Sequence, residues 1–228
     1  MPPLSDLRSS DLRLSDEDRR ALLIRARQAI SGVCDLRFAD LPAAAGRLAE
    51  PGGAFVTVQC KGRLRGCIGR THSDNALADT VVQCAIGAAR EDTRFRPLRR
   101  EELAGLEIQI SVLSEMQALT PDEIEVGIHG IVVTRGGSRG LLLPQVAAER
   151  NWSAARFLEE ACRKAGLQPD AWGDAETKLF AFIADVFSEA SLLRRRDSPL
   201  LSERHGPPEP PAGRFSDSSE LLDYSSST

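Results

Sequence analysis

The sequence predicts an α+β fold built from a duplicated unit of hairpin, helix and strand. Three observations lead to this prediction: β-branched and aromatic segments joined by short glycine turns, segments with apolar residues at helical spacing, and the recurrence of the same order in the second half. The hairpins also share a step, since Arg65-Gly66-Cys67-Ile68 resembles Arg139-Gly140-Leu141-Leu142.

The first half begins with a helix and a hairpin. Ser15 is the predicted N-cap because three acids follow it, and Gly32 is predicted to end the helix. Residues 54–60 are rich in β-branched and aromatic side chains and are predicted to form a strand. Lys61-Gly62 then provides a two-residue turn, and residues 63–68 return as the partner strand.

The later elements repeat this order with their own start and stop signals. They are predicted as a helix capped by Ser73, a strand over 106–113, a hairpin over 130–143, a short helix opened by Pro144, a helix between Ser153 and Gly166, and a strand over 178–187. Folded structure is therefore expected over 15–196. Residues 1–14 and 197–228 have the polar, proline-containing and serine-containing composition of disordered ends.

Composition excludes several functional classes. Hydrophobic residues make up 42% of the chain and charged residues 27%, which is ordinary for a globular protein. The net charge of −4 argues against a nucleic-acid partner, and no apolar run approaches the roughly 18 residues that span a bilayer. Five cysteines without close pairs indicate reduced thiols, so a cytoplasmic protein without a membrane partner is expected.

The segment Leu64-Arg65-Gly66-Cys67-Ile68-Gly69 is the strongest candidate site. Regular pairing across the turn would place Val58 opposite Arg65 and Val56 opposite Cys67, so that Arg65 and Cys67 share a face. A cation about 6–7 Å along the strand favours the reactive thiolate of a cysteine. A bulge at Gly66 would break this geometry, and the alternative is a buried cysteine that acts as a small hydrophobe.

The same hexapeptide resembles the signature of the AMMECR-one domain family. Further similarity covers about residues 17–190, in four segments: Gly53-Ala54-Phe55-Val56-Thr57, Asp92-Thr93-Arg94-Phe95-Arg96-Pro97-Leu98, residues 107–113 and residues 140–147. Trp152, Phe157-Leu158 and residues 162–167 also match. The resemblance implies two β-β-α-β-β-like repeats in intertwined lobes. It also implies similarity to protein A of the AmmeMemoRadiSam system, which groups the domain with Memo-like and radical SAM proteins.

Other candidate groups favour structural interpretations. His72 could act as a base toward Cys67, although a surface histidine is the stronger interpretation; His129 is expected to be a solvated loop residue. The arginines around Arg94 could clamp an anion, but ion pairs that fix the loop are favoured. Cysteine and histidine spacing predicts no metal site, and Gly136-Gly137-Ser138 lacks the context of a nucleotide loop, so no cofactor is predicted.

Two functions from different classes follow. The first is an enzyme of unestablished reaction in which Cys67 is the nucleophile or acid/base, Arg65 supports the thiolate and Arg94 holds an anionic group of a small-molecule substrate. Ser111 and Gln145 match family motifs and would orient this substrate by hydrogen bonds. The second is a binding or adaptor module in which the Leu64–Gly69 segment, including Leu64, Gly66, Ile68 and Gly69, docks a partner or ligand.

Overall fold

The computed structural model describes residue 12 and residues 14–35 and 43–196, with side chains described as far as residue 192. The predicted disordered ends lie almost entirely outside the described residues. Leu12 and Leu14 are the exceptions, and both are buried.

Five helices and eight strands occur in the described residues. The helices are α1 (Asp16–Asp35), α2 (Leu77–Arg90), α3 (Pro144–Glu149), α4 (Ala154–Lys164) and α5 (Glu189–Arg196). The strands are β1 (Ala54–Cys60), β2 (Arg63–Arg70), β3 (Leu106–Leu113), β4 (Gln117–Ala118), β5 (Gly130–Arg135), β6 (Ser138–Leu142), β7 (Lys178–Phe182) and β8 (Ala184–Ser188).

The strands form two antiparallel four-stranded sheets with the same internal order. Sheet 1 runs β2-β1-β3-β8 and sheet 2, taken in the equivalent direction, runs β6-β5-β7-β4. Each half of the chain therefore supplies a hairpin, a helix and two more strands, and the fourth strand of each half pairs with the third strand of the other. This exchange confirms the predicted duplicated α+β fold with intertwined lobes.

The two crossings between the sheets are hydrogen-bonded to each other. Ser114 follows β3 and Ile183 follows β7; the Ser114 N–H donates to the Ile183 carbonyl and the Ile183 N–H donates to Ser114 Oγ, both at 3.0 Å. The predicted single strand over 178–187 is consequently wrong. The chain leaves sheet 2 at Ile183 and enters sheet 1 as β8.

Three apolar clusters show that the elements are stacked as helices, sheet, sheet and helices. One cluster lies between sheet 1 and the helices α1 and α2, and Val56 and Val58 of β1 belong to it. A second joins α4 to sheet 2. The third, here called the inter-sheet cluster, contains Phe55, Cys67, Leu113, Val132, Leu141, Leu143 and Phe182. Both sheets contribute to it, so it lies between them.

The helix boundaries confirm some sequence signals and correct others. Ser15 Oγ accepts the Asp18 N–H at 3.1 Å, and Ser153 Oγ accepts the Arg156 N–H at 3.2 Å, as expected for N-caps. Gly32 does not end α1, because it is buried and the next turn packs Val33 and Cys34 on the core. The predicted Ser73 cap is also wrong, since α2 begins only at Leu77 and Ser73 Oγ accepts the N–H of Asn75 instead.

No helix within the described ranges is long and apolar enough to cross a bilayer. All five cysteines lie in these ranges, and no disulfide joins them.

Candidate functional site

The first hairpin contains a bulge next to its tight turn. Lys61 and Gly62 both have positive φ (51° and 75°), as a two-residue hairpin turn of this type requires. Cys60 pairs with Arg63 across the turn, but the register then shifts, so that Val58 lies opposite Gly66 and not opposite Arg65 as predicted. Arg65 is therefore the extra residue of a β-bulge, which redirects its side chain.

This bulge corrects the predicted relation between Arg65 and Cys67. Thr57, not Val56, lies opposite Cys67. Arg65 Nε donates to Glu102 Oε1 at 2.6 Å, its Nη2 donates to the Arg96 carbonyl at 3.1 Å, and its guanidinium lies 6.0 Å from the centre of the Phe95 ring. The guanidinium is thus committed to a carboxylate in the 3₁₀ turn at Arg100–Gly105.

Gly66 allows the hairpin to pack directly on the backbone of α2. A Cβ at this position would lie 1.9 Å from the carbonyl oxygen of Ala88, a distance that no side chain tolerates. Gly69 has a different neighbour, because its missing Cβ leaves room for the Phe55 ring of the facing strand. Both glycines of the hexapeptide are therefore explained by close packing.

Cys67 makes polar contacts with Asp92 and Thr57 and also packs against apolar side chains. Its backbone N–H donates to Asp92 Oδ2 at 2.8 Å, and its Sγ lies 3.2 Å from Thr57 Oγ1, where either atom can be the donor. The residue is 4% exposed and belongs to the inter-sheet cluster. The thiol consequently faces sheet 2, beside a hydroxyl group.

Asp92 connects the Cys67 backbone to Arg94. Its carboxylate accepts from Arg94 Nε at 2.9 Å and from Arg94 Nη2 at 2.8 Å, and Arg94 also lies over the Phe95 ring at 5.4 Å. These contacts match the favoured ion-pair interpretation of the loop. An anion clamp at Arg94 would have to compete with a carboxylate that is already bound.

Two carboxyl groups at this site have perturbed pKa values. Burial opposes ionisation of Asp92, but the hydrogen bonds from Arg94 and from the Cys67 N–H outweigh it and lower the pKa below its ordinary value. The pKa of Glu102 is also lowered, chiefly by its hydrogen bond from Arg65. Both groups are therefore ionised at neutral pH.

Three other cysteines have the character of protonated thiols. Burial raises the pKa of Cys84 to about 11, and burial also raises the pKa of Cys34 and of Cys162. Cys84 lies in the cluster between sheet 1 and its helices, and Cys162 lies in the cluster between sheet 2 and α4. They provide internal references for the chemistry of Cys67.

The remaining predicted site residues are only partly brought together. Ser111 is buried opposite Phe55 on the inter-sheet side of β3, and Leu64 packs against the inter-sheet cluster. Ile68 instead packs toward α2. His72 is a surface residue, because its side chain is 79% exposed and its ring contacts Asp74 at 3.2 Å.

Gln145 lies in the first turn of α3, between Leu143, which belongs to the inter-sheet cluster, and Val146, which packs against it. Its Oε1 is buried and has no hydrogen-bond partner among the described residues. This amide oxygen can therefore accept a further hydrogen bond.

Sequence reasoning missed Thr57, Asp92 and Glu102 as members of the site. Asp92 stands in a matched motif just after the end of α2, which was the available signal. Thr57 could be found only from the observed register.

The expectation that His129 is solvated is wrong. It is fully buried, and its Nδ1 accepts the N–H of Glu125 at 3.1 Å.

No group of three or more histidine, cysteine or acidic side chains suited to a metal ion occurs in the described part of the chain.

The fold and the site together define a duplicated α+β protein with exchanged strands and a cysteine between its sheets. A sequence model of the AMMECR1 family matches residues 23–187, and the chain belongs to this family.

Relatives cover most of the chain. A protein from Methanothermobacter thermautotrophicus is 42% identical in an alignment of 188 residues that covers 77% of this chain and 96% of the relative. A Methanopyrus kandleri protein is 43% identical over 153 residues, covering 63% of this chain and 74% of that one. The crystal structure of the uncharacterised protein PH0010 from Pyrococcus horikoshii superposes with a TM-score of 0.74 at 35% identity, covering 79% of this chain and 96% of that chain.

Proposed function

We propose that the protein is a cysteine-dependent enzyme whose reactive centre is the Cys67–Thr57 pair. The observation that supports this proposal is a break in the internal symmetry. In the second hairpin, Val132 lies opposite Leu141 and both belong to the inter-sheet cluster. Hydrocarbon side chains therefore satisfy the same positions of the fold, so packing alone does not require a thiol and a hydroxyl in the first hairpin.

The contacts of Cys67 suit thiol chemistry. A hydroxyl at 3.2 Å can donate a hydrogen bond to a thiolate, and this interaction favours the charged form. The bond from the Cys67 N–H to Asp92 fixes the backbone that carries the sulfur. Cys67 would act as nucleophile or acid/base. Arg65 would not stabilise the thiolate directly, but its ion pair with Glu102 would hold the bulged strand that carries Cys67.

Access to the sulfur limits the substrate to a small molecule or a projecting modified group. Cys67 is buried, whereas Thr57 is half-buried, so approach from the Thr57 side requires the least rearrangement. Gln145 would accept a hydrogen bond from the substrate with its otherwise unsatisfied Oε1. Because Asp92 already neutralises Arg94, an anionic substrate would have to displace part of that ion pair.

The proposal includes a cytoplasmic setting beside Memo-like and radical SAM proteins, as a protein A-like component of an AmmeMemoRadiSam-type system. Membership of the AMMECR1 family supports this part. A pull-down with this protein as bait, from cells that contain Memo-like and radical SAM proteins, would test this part. A bait with a surface substitution on α4 is the control and should retain the same proteins, and the absence of both kinds of protein would contradict the proposed setting.

The first test is the pH dependence of iodoacetamide alkylation at each cysteine, read by mass spectrometry on the folded protein. We expect Cys67 to react at least about tenfold faster than Cys84 at neutral pH, because burial raises the pKa of Cys84 to about 11, whereas the Thr57 hydroxyl can donate a hydrogen bond to a thiolate at Cys67. Cys34 and Cys60 are half-buried controls for access. If Cys67 reacts no faster than Cys84, the proposed reactive centre is wrong.

A second variant separates reactivity from packing. Thr57→Val introduces the residue of the second hairpin and removes only the hydroxyl, so the variant should lose about 1 kcal/mol, the value of one hydrogen bond, and keep its fold. We expect alkylation of Cys67 to slow by about three- to tenfold, since one hydrogen bond to the thiolate is worth about 1 kcal/mol. An unchanged rate would exclude Thr57 from the reaction.

One observation favours the alternative function, a non-catalytic adaptor module. Cys67 is 4% exposed and packs among apolar side chains, as structural cysteines do. In that case the Leu64–Gly69 segment would shape a docking surface for a partner or ligand. A Cys67→Ala protein that folds and still supports its cellular pathway would favour the adaptor and contradict the enzyme.

A further inference from the structure

A groove between α1 and α5 lies on the helical side of sheet 1, apart from the inter-sheet cluster. It has a volume of about 420 Å³ and is lined by Arg20, Leu23, Ile24, Arg27, Gln28, Glu189 and Leu192. Ile24 is 57% exposed and is one of two large hydrophobic residues that are strongly exposed among the described residues. An apolar floor of this kind is typical of a surface that another segment covers.

The rim of the groove carries an excess of positive charge. Arg27 is bound to Glu189, through Nε at 2.9 Å and through Nη2, and it also donates to the Leu106 carbonyl. Arg20 makes no ion pair with any described residue, although it stands two helical turns before Arg27. The complementary ligand is therefore an apolar segment with acidic neighbours.

The chain contains such a segment after α5. Glu220-Leu221-Leu222-Asp223-Tyr224 places two leucines between two acids, and residues 215–228 hold three acids and no base. The other adjacent leucines beyond α5, Leu200-Leu201, stand between Arg194-Arg195-Arg196 and Arg204, whose charges oppose a basic rim. Charge thus distinguishes the two segments.

Chain length permits the contact. Glu189 and Leu192 line the groove, and α5 ends one turn later at Arg196. The 23 residues between Arg196 and Glu220 can span up to about 75 Å when extended, which is far more than the distance along α5 requires. Linkage of this kind raises the effective concentration to about the millimolar range, so a weak contact suffices.

We propose that residues 220–224 of this chain dock in the α1–α5 groove, with the two leucines on Leu23 and Ile24 and with an acid beside Arg20. This inference does not depend on the proposed activity at Cys67. The docked segment would cover the apolar floor and would compete with any other protein for this face.

Photo-crosslinking in the full chain tests the proposal. Ile24→p-benzoylphenylalanine places the probe on the groove floor, and Gln28→p-benzoylphenylalanine places it on the rim if the first variant disturbs packing. We expect crosslinks within one chain to residues 215–224, located by mass spectrometry. The same probe at Arg156, exposed on α4, should give none. Crosslinks to residues 1–13, to Leu200-Leu201 or to a second copy, or no crosslink, would overturn the proposal.

Charge reversal provides an independent test. Glu220→Lys with Asp223→Lys should lower the crosslink yield about fivefold or more, because the lost charge pair with Arg20 contributes up to about 1 kcal/mol and the new lysines repel Arg20. Arg20→Glu alone should also lower it. Combining Arg20→Glu with the two lysines should restore part of the yield, and failure to restore any would overturn the proposed pairing.

Discussion

The hairpins β1–β2 and β5–β6 occupy equivalent places in their sheets but differ in two respects. The second hairpin has an unbroken register from Ile131 opposite Leu142 to its turn, whereas the first contains one additional residue, Arg65, before the shared glycine. At the equivalent pair of positions between the sheets, the second hairpin has Val132 and Leu141, and the first has Thr57 and Cys67. The same fold therefore accepts either two hydrocarbon side chains or a hydroxyl and a thiol at this pair of positions.

The helices behind the hairpins show the same difference. Gly66 touches the backbone of α2 at Ala88, and Gly140 touches the backbone of α4 at Ala161, so the packing contact is common to both halves. After α2 a buried carboxylate, Asp92, reaches the Cys67 N–H. After α4 the corresponding turn is Ala165-Gly166-Leu167, which contains no carboxylate. The contact between a hairpin glycine and a helix backbone is therefore common to both halves and belongs to the fold. The features found only in the first half, Asp92 and Thr57, both contact Cys67.

The largest expected effect concerns the shared glycine. Gly66→Ala and Gly140→Ala would each place a Cβ about 2 Å from a backbone carbonyl, at 1.9 Å and 2.2 Å, so each should destabilise the protein by about 3 kcal/mol or more. Urea unfolding measures this. Gly137→Ala is the matched control, because nothing lies within 4 Å, and it should stay within about 0.5 kcal/mol. If only one of the two variants lost about 3 kcal/mol, the two glycines would not have equivalent packing roles in the two halves.

Asp92→Ala should cost about 2–4 kcal/mol, because it leaves the buried Cys67 N–H and the Arg94 guanidinium without their acceptor. Asp174→Ala removes an exposed ion pair with Arg135 in the second half and should cost less than about 1 kcal/mol. Thermal and urea unfolding of both variants compare them. If both variants lost the same free energy of unfolding, the buried contacts of Asp92 would stabilise the protein no more than an exposed ion pair does.

Acid should destabilise the protein partly through the first half. The pKa of Asp92 and that of Glu102 are lowered in the folded state, so their contribution is complete above the unfolded pKa of about 4 and is lost as the pH falls through the folded values. Urea midpoints between pH 6 and pH 2.5 should fall, and Asp92→Asn should flatten this dependence. An identical slope in the variant would contradict the assignment.

The smallest expected effect concerns the additional residue of the first hairpin. Arg65→Ala removes the partly exposed pair with Glu102 and the contact with Phe95, which together should cost about 1 kcal/mol. Because the guanidinium is bound to Glu102, the alkylation rate of Cys67 should change less than about twofold. A large loss of reactivity would restore a direct role of Arg65 at the thiol.

Local sequence signals determined the elements that depend on neighbouring residues. Turn glycines, N-cap serines and alternating apolar residues predicted β1, the Lys61-Gly62 turn, β3, the second hairpin and α4 correctly. The duplication was visible in the same signals. The motifs that contain Cys67 and Asp92 were also visible in the sequence, and the structure joins them through the hydrogen bond from the Cys67 N–H to Asp92, while a functional site there stays a prediction.

Only the tertiary structure decided how these elements meet. The bulge at Arg65, the contact between Thr57 and Cys67 and the burial of His129 depend on residues distant in the chain, and so does the continuation of α1 through Gly32. The switch of the chain from sheet 2 to sheet 1 at Ile183 depends on Ser114, 69 residues earlier. Local propensity fixes period and turns, whereas register, burial and strand exchange follow from the free energy of packing the whole chain, which no short segment contains.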